Sequence, residues 1–218
     1  MWWGDNDSDS ASVQVPSGSH EQAQKEAVFL MRPTVGNHKS SLKDRKDDCY
    51  ETPPEATKAL IQSEHLPHRI LEPACGPGAI VKVLRDAGHY VVATDLVDYG
   101  CPESQSGVDF LMEYRLQEEV DAIVTNPPFK IADDFVRKGL ELCPSVIILQ
   151  RLMFLEGKGR SDIIDGHLVR IHVFRNRLPM MHRAGWSGKS TSSMAPYAWF
   201  IFLREKSGPT LLDRISSR

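Results

Sequence analysis

Val120-Asp121-Ala122-Ile123-Val124-Thr125-Asn126-Pro127-Pro128-Phe129 is an apolar run that ends in two prolines. Because proline fixes its own φ and lacks a backbone N–H, the pattern predicts a buried strand that stops in a rigid turn. The turn presents an amide side chain, a carbonyl and an aromatic ring at the carboxyl end of the strand. In open parallel α/β sheets, ligands bind in the crevice outside these ends. The stretch therefore predicts a functional site at this edge of a sheet.

A second apolar run, residues 69–74, ends in the turn Cys75-Gly76-Pro77-Gly78. A helical pattern follows the turn, and Gly88 is placed to end that helix. Residues 90–94 predict a second strand, which leads into Asp95. A strand, a glycine turn, a helix, a second strand and an acidic residue together form half of a Rossmann-type nucleotide site.

The rest of the chain continues the alternation of strands and helices. Thr52-Pro53-Pro54-Glu55 has the pattern of a helix start, with Thr52 as the N-cap and Glu55 closing a capping box. The other predicted elements are a loop at 96–106, a short strand at 108–111, a strand at 120–125, a helix at 131–142, strands at 145–149, 170–174 and 197–203, and a long loop at 183–196. The last two strands are expected to pair antiparallel at one sheet edge. The alternation predicts an α/β fold with a mainly parallel sheet covered by helices on both faces.

Composition places the chain among soluble globular proteins, with 41% hydrophobic and 25% charged residues in 218. A net charge of −3 excludes a general polyanion binder, so any nucleic-acid surface must be local. Four scattered cysteines without a Cys-x-x-Cys pair indicate reduced thiols and no metal site. No signal peptide or membrane-length apolar run is visible, which favours a cytoplasmic protein with no membrane partner. We predict a disordered tail over residues 1–26 and a single domain over 27–218.

The glycine turn indicates which ligand the first crevice accepts. Val81 stands where a dinucleotide fingerprint has its third glycine, and Glu72 at the strand end would repel a pyrophosphate. S-adenosylmethionine instead carries an ammonium, a sulfonium and a ribose. Asp95 is placed to accept from both ribose hydroxyls, while Asp109 and Phe110 are candidates for the adenine. The alternative is that these carboxylates are merely exposed at strand ends.

The proline turn indicates a reaction. The lone pair of an exocyclic aromatic amine is delocalised into its ring, which makes the nitrogen a poor nucleophile. Two acceptors aimed at its hydrogens, the Asn126 side-chain oxygen and the Pro127 carbonyl, would favour a pyramidal nitrogen and localise that pair. Phe129 offers a face for a base taken out of its stack. The alternative is a stiffened turn in which Asn126 acts as a local cap.

Several motifs in this order resemble the amino-methyltransferases that act on nucleic acids, and most closely the gamma class of DNA adenine-N6 methyltransferases. They are Tyr50-Glu51-Thr52-Pro53-Pro54, Glu72-Pro73-Ala74-Cys75-Gly76-Pro77-Gly78, Asp95 and Asn126-Pro127-Pro128-Phe129. The resemblance covers residues 49–151 and implies a Rossmann-like, seven-stranded methyltransferase sheet. The Pro-Pro-Phe ending is shared with RNA adenine-N6 methyltransferases, and Pro-Pro-Tyr is also used for protein glutamine.

The resemblance implies S-adenosylmethionine as cofactor and assigns residues to it. The implied cofactor-binding residues are Tyr50, Thr52, Glu72, Pro73, Ala74, Gly76, Gly78, Asp95, Leu96, Asp109, Phe110 and Asn126. The implied catalytic residues are Asn126, Pro127, Pro128 and Phe129.

The carboxyl-terminal part departs from the gamma class, whose members usually carry a sizeable target-recognition domain there. Only residues 152–218 remain after the resemblance ends, as in small phage-type enzymes. The stretch 151–189 is rich in Arg and Lys, and with Phe129 its Arg151, Arg183, Trp186 and Lys189 are candidate substrate-binding residues. The alternative is a basic, solvated surface.

The main hypothesis is methyl transfer to N6 of adenine in DNA. An RNA adenine-N6 or DNA cytosine-N4 methyltransferase is the alternative enzyme. A cofactor-binding subunit that needs a partner for target recognition is the non-enzymatic alternative. Nucleic acid is the expected partner in each case, DNA before RNA, and no pattern in the sequence specifies an oligomeric state.

Overall fold

Eight strands form one sheet in the computed structural model, which describes residues 51–180 and 195–217. The strands are β1 Arg69–Glu72, β2 Tyr90–Asp95, β3 Ser104–Ser106, β4 Ala122–Thr125, β5 Ser145–Arg151, β6 Leu168–Phe174, β7 Tyr197–Leu203 and β8 Leu211–Ile215. Their spatial order is β3-β2-β1-β4-β5-β7-β6-β8. Only β7 runs against its neighbours β5 and β6, and every other pair is parallel. The mainly parallel sheet and the antiparallel pairing of β6 with β7 are confirmed.

The predicted number of seven strands is wrong, because β8 adds an eighth outside β6. The hairpin-like pair β6 and β7 therefore does not form the outermost edge of the sheet. Four of the five residues of β8 are exposed, so the strand has no buried alternation that a sequence pattern could report.

The third strand also differs from its prediction. It is Ser104–Ser106, inside the stretch expected to be a loop, and it pairs with β2. Residues Phe110–Met112, expected to be a strand, form a short 3-10 helix. The Asp109 carboxylate accepts from the Leu111 backbone N–H at 3.2 Å. This local bond competes with an extended backbone and explains the difference.

In the described ranges, four α-helices cover the sheet, namely α1 Pro54–Ser63, α2 Ala79–Asp86, α3 Ala132–Leu142 and α4 Ser161–His167. One core joins α1 and α2 to the sheet, and a second core joins α3 and α4 to its other face. Helices on both faces are thus confirmed. Helix α1 starts at Pro54 with no side-chain cap, so the predicted capping box at Thr52 and Glu55 is wrong. Thr52 is instead 4% exposed.

Strand β5 shows how the two cores share one strand. Ile147 and Leu149 belong to the core under α1 and α2, whereas Val146 and Ile148 belong to the core under α3. Side chains alternate across a strand with a period of two. The next residues at its carboxyl end therefore point to opposite faces as well.

Polar contacts at both ends hold α1 against the sheet. Near its start, the Trp199 indole N–H on β7 donates to the Ala56 carbonyl at 2.9 Å, and Trp199 is fully buried. At its end, Glu64 accepts from Arg170 at 2.8 Å and contacts the His172 ring nitrogen at 3.0 Å. These contacts fix the position of α1 along the strands. They thereby hold Thr52, which lies just before the helix, at the carboxyl edge of the sheet.

Within residues 51–180 and 195–217, no helix is long and apolar enough to cross a membrane. The domain prediction, a tail over residues 1–26 and one domain over 27–218, includes a stretch outside the described residues and stays a prediction.

Candidate active site

A cleft opens at the carboxyl ends of β1, β2 and β4, where the sequence predicts a ligand site. Most of the predicted cofactor residues line it, namely Thr52, Pro73, Ala74, Gly76, Asp95, Leu96, Asp109, Phe110 and Asn126. Pro128 from the proline turn lines the same cleft. The glycine turn and the proline turn therefore meet in one cavity.

The glycine turn owes its shape to two left-handed residues. Gly76 has φ 52° and Gly78 has φ 92°, values that residues with a side chain rarely adopt. A Cβ at Gly78 would also lie 2.7 Å from the Cys101 sulfur. Gly78 does not line the cleft, and it serves the site by letting the loop after β2 pack against the start of α2.

Asp95 ties this turn to the end of β2. One carboxylate oxygen accepts from the Gly76 backbone N–H at 2.8 Å, and the other accepts from the Val97 N–H at 3.0 Å. Burial raises the pKa of Asp95, and these backbone donors work against that rise. Each carboxylate oxygen has two lone pairs, so Asp95 can still accept from a ligand hydroxyl while it holds the turn.

Glu72 lies beneath the cleft rather than in its wall. Its side chain is 0% exposed, and one oxygen accepts from the Ala74 N–H at 3.3 Å. Burial raises the pKa of Glu72 to about 8, against the lowering effect of the Thr125 hydroxyl and the Ala74 N–H. The raised pKa favours the protonated form of Glu72 at neutral pH. Its predicted contact with the cofactor stays a prediction.

Asp109 and Phe110 form the wall opposite the glycine turn. Asp109 caps the 3-10 helix, which turns both residues toward the cleft. The Phe110 ring packs on Phe135 of α3 with centroids 5.1 Å apart, so a rigid aromatic surface borders the cavity. Such a surface suits a planar ring system.

The proline turn follows β4 directly. Asn126 and Pro128 border the cleft, Pro127 is buried between them, and Phe129 points toward the core under α1 and α2. Phe129 lies 6.1 Å from Tyr197 of β7, measured between ring centroids. The Arg151 guanidinium lies over the Phe129 ring at 4.5 Å from its centroid. Arg151, a predicted substrate-binding residue, is thus at the predicted base-stacking ring.

Gln150 is a site residue that the sequence analysis missed. It is 3% exposed, and its side-chain N–H donates to the Pro127 carbonyl at 3.2 Å. The available signal was a single polar residue that continues the apolar run 146–149 of a buried strand. A buried amide needs a hydrogen-bond partner, and here the partner is a predicted catalytic carbonyl.

The structure adds residues to the cleft, and four candidates lie outside the residues that it describes. Glu51, Cys75, Pro77, Ala79, Ile80, Val97, Tyr99, Val108, Ile131 and Phe135 also line it. Tyr50, Arg183, Trp186 and Lys189 lie outside the described residues. In the part of the chain that is described, no group of three or more His, Cys, Asp or Glu side chains is arranged to hold a metal ion.

Known structures share this architecture at low sequence identity, and no protein-family model matches the sequence. A proposed RNA methyltransferase from Pyrococcus horikoshii is 13% identical with a TM-score of 0.55, over 84% of this chain and 98% of that one. A proposed hemolysin from Lactococcus lactis is 12% identical with a TM-score of 0.50, over 75% of this chain and 90% of that one. A modification subunit of a proposed type I restriction enzyme from Vibrio vulnificus is 15% identical with a TM-score of 0.49, over 87% of this chain and 49% of that one.

The similarity defines a class of fold. With the strand order and the single antiparallel β7, it identifies an α/β, Rossmann-like methyltransferase fold. The chain carries this sheet with one additional edge strand, β8.

Proposed function

We propose that the chain transfers a methyl group from S-adenosylmethionine to the exocyclic amine of a base in nucleic acid, N6 of adenine in DNA. One observation carries the proposal. Asn126 and Pro128 border the same cleft as Asp95 and the glycine turn, so a donor site and an acceptor turn share one cavity. The fold, which is that of known methyltransferases, supports the same reaction class.

The residues of the cleft fit this cofactor. Asp95 offers spare acceptor capacity for ribose hydroxyls, the left-handed turn at Gly76 exposes backbone to a ligand, and Phe110 provides an aromatic wall. Burial raises the pKa of Glu72 and favours its protonated form, so the expected repulsion of a pyrophosphate by Glu72 does not support this cofactor, and the fit rests on Asp95, Gly76 and Phe110. When bound, S-adenosylmethionine supplies an electrophilic methyl group on its sulfonium.

The chain's own contribution to the chemistry is to prepare the amine. The Asn126 side-chain oxygen and the Pro127 carbonyl would each accept one amine hydrogen, which favours a pyramidal nitrogen with a localised lone pair. Because the proline turn is rigid, little reorganisation is needed when the base arrives. The nitrogen loses its extra proton to solvent after the transfer, so no side chain has to act as a general base.

The choice of DNA rests on the resemblance to gamma-class enzymes across residues 49–151. A second candidate is an RNA adenine-N6 methyltransferase, favoured by the Pro-Pro-Phe ending and by the similar structure from Pyrococcus horikoshii, which is described as an RNA methyltransferase. Methylation of cytosine N4 in DNA uses the same turn chemistry. A cofactor-binding subunit that depends on a partner for target recognition is the non-enzymatic alternative.

The deciding experiment incubates the purified chain with radiolabelled S-adenosylmethionine and with separate DNA, RNA and protein pools. The products are digested to nucleosides and the labelled one is identified. Label on N6-methyladenine in DNA is expected, and it should vanish for Asn126→Ala. Label only in RNA or on cytosine contradicts the DNA adenine proposal. No transfer despite measurable cofactor binding would support the subunit alternative.

A further inference from the structure

We propose that Gln150 is a positioning residue for the methyl-transfer reaction, because it holds the Pro127 carbonyl in the direction that the target amine needs. The inference rests on the proposed function. The observation behind it is the buried hydrogen bond from the Gln150 amide to Pro127, 3.2 Å long.

The sheet register brings the two residues side by side. Strands β4 and β5 are parallel, and Thr125 pairs with Ile148. Two residues further, Pro127 lies in the turn that follows β4, and Gln150 is still within β5. The register of two central strands therefore brings Gln150 beside the start of the proline turn.

Burial shows that the contact matters to the chain. All five internal residues of β5 are buried, and Gln150 is the polar member of the five. Placing an amide there costs free energy unless it makes a hydrogen bond. A methionine or leucine would fill the volume without that requirement. The polar residue is thus explained by its partner, the Pro127 carbonyl.

The Pro127 carbonyl also determines how the side-chain amide of Gln150 is oriented. A carbonyl oxygen only accepts, so the NH2 end of the Gln150 side chain must face it. That oxygen has two lone pairs, of which Gln150 occupies one. The second remains for a hydrogen of the target amine. A donor on the first lone pair fixes the direction of the second, which is electrostatic preorganisation at an acceptor.

The test compares Gln150→Met with the wild-type protein, using Gln62→Met on the exposed side of α1 as a matched control. Loss of one neutral hydrogen bond should lower kcat about three- to tenfold, with cofactor Kd and the KM for nucleic acid within about twofold. Gln62→Met should match the wild type. An unchanged kcat for Gln150→Met overturns the inference. So does a parallel loss of kcat and cofactor affinity, because that pattern belongs to a purely structural bond.

A second variant, Gln150→Glu, tests the role through the pH dependence of kcat relative to the wild type. In Gln150→Glu, the protonated carboxyl can donate to Pro127, whereas the ionised form cannot. Burial raises the pKa of a carboxyl, and the neighbouring Arg151 side chain lies toward the other face of β5. The ratio of variant to wild-type kcat should therefore be near one at low pH and fall as pH rises. A ratio that does not change with pH overturns the inference, even if Gln150→Met fails to fold.

Failure of the two proposals gives different results. If the wild-type chain methylates none of the nucleic-acid pools, the proposed function fails and the role of Gln150 fails with it. If the wild type is active and the Gln150 variants behave like Gln62→Met, only this inference fails. The melting temperature of Gln150→Glu should also drop with rising pH relative to the wild type, because ionisation of a buried carboxyl destabilises the folded state, and this readout gives the pH range of that ionisation without any activity.

Discussion

The carboxyl edge of the sheet has two halves that are held in different ways. The proposed cofactor half, residues 72–110, is stabilised by contacts among its own residues, since Asp95 accepts from the backbone of the glycine turn and of its own loop. The proposed target half consists of residues 126–129 with 150–151. Its turn is stabilised by residues that lie outside the turn motif. Gln150 reaches Pro127 from the next strand, and Arg151 covers Phe129. The glycine turn is thus stabilised locally, whereas the proline turn is supported by the end of a neighbouring strand.

The largest expected effect comes from removing the acceptor of the target half. Asn126→Ala should lower kcat about 10²- to 10³-fold, because it deletes one preorganised partner of the amine. The cofactor Kd, measured by calorimetry, should stay within about threefold of the wild-type value if the halves are separable. Unchanged turnover, or equal losses of turnover and cofactor affinity, would contradict this separation.

The complementary change acts on the cofactor half. Asp95→Ala removes the carboxylate that holds Gly76 and is proposed to accept from ribose hydroxyls. Cofactor affinity should fall about 10- to 100-fold, the effect of losing hydrogen bonds to a charged group. Asp98→Ala is the matched control, because Asp98 is exposed and its carboxylate accepts from Gly100 in its own turn. A calorimetric Kd that is identical for wild type and Asp95→Ala would remove Asp95 from the site.

Buried Glu72 predicts how stability depends on pH. Its pKa is raised from 4.5 to about 8 in the folded protein, so the folded state binds more protons than the unfolded state between these values. This contribution to stability is fully present below pH 4.5 and is lost as pH rises toward about 8. Glu72→Gln mimics the protonated form and should flatten this decline in melting temperature. Parallel curves for the two proteins from pH 5 to pH 9 would show that Glu72 is already ionised.

The smallest expected effect is at Arg151. Its guanidinium stacks on Phe129, and such contacts contribute about 0.5–2 kcal/mol. Arg151→Met keeps most of the stem but loses the charge, so the KM for nucleic acid should rise a few-fold. Lys130→Met, at an exposed position beside the same turn, is the charge-matched control. A larger KM change for Lys130→Met than for Arg151→Met would contradict this prediction, because it would place the contact with nucleic acid at Lys130.

The sequence predicted elements well where a single apolar pattern defines them. The helix near residues 131–142 and the strand near 197–203 were expected because their apolar residues repeat with the appropriate period. Strands β3 and β8 were missed, because both are short or exposed and pair at the two ends of the sheet. Their extended backbone comes from a neighbouring strand, which no local pattern records. The segment around Phe110 was mistaken for a strand because its apolar residues also fit a short strand. The local pattern did not show that Asp109 caps a 3-10 helix there.

The site followed the same division. Asp95, Gly76 and Asn126 could be predicted to lie near one another because each belongs to a short motif directly after a strand, and the three do line one cleft. Their roles stay predictions. The raised pKa of Glu72 could not be predicted, since it depends on how completely the neighbouring elements exclude water. The contact of Gln150 with Pro127 could not be predicted either, because it depends on the register of β4 and β5.

Sequence alone therefore determined the alternation of the central strands and helices and the residue types of the two turns, because backbone preferences and hydrophobic periodicity act over a few neighbouring residues. The tertiary structure decided how those turns are held. It placed Gln150 against the Pro127 carbonyl, Arg151 over Phe129 and a buried Glu72 with a raised pKa under the cleft. These properties arise from strand register and from the exclusion of water, and both come into existence only when the sheet is packed.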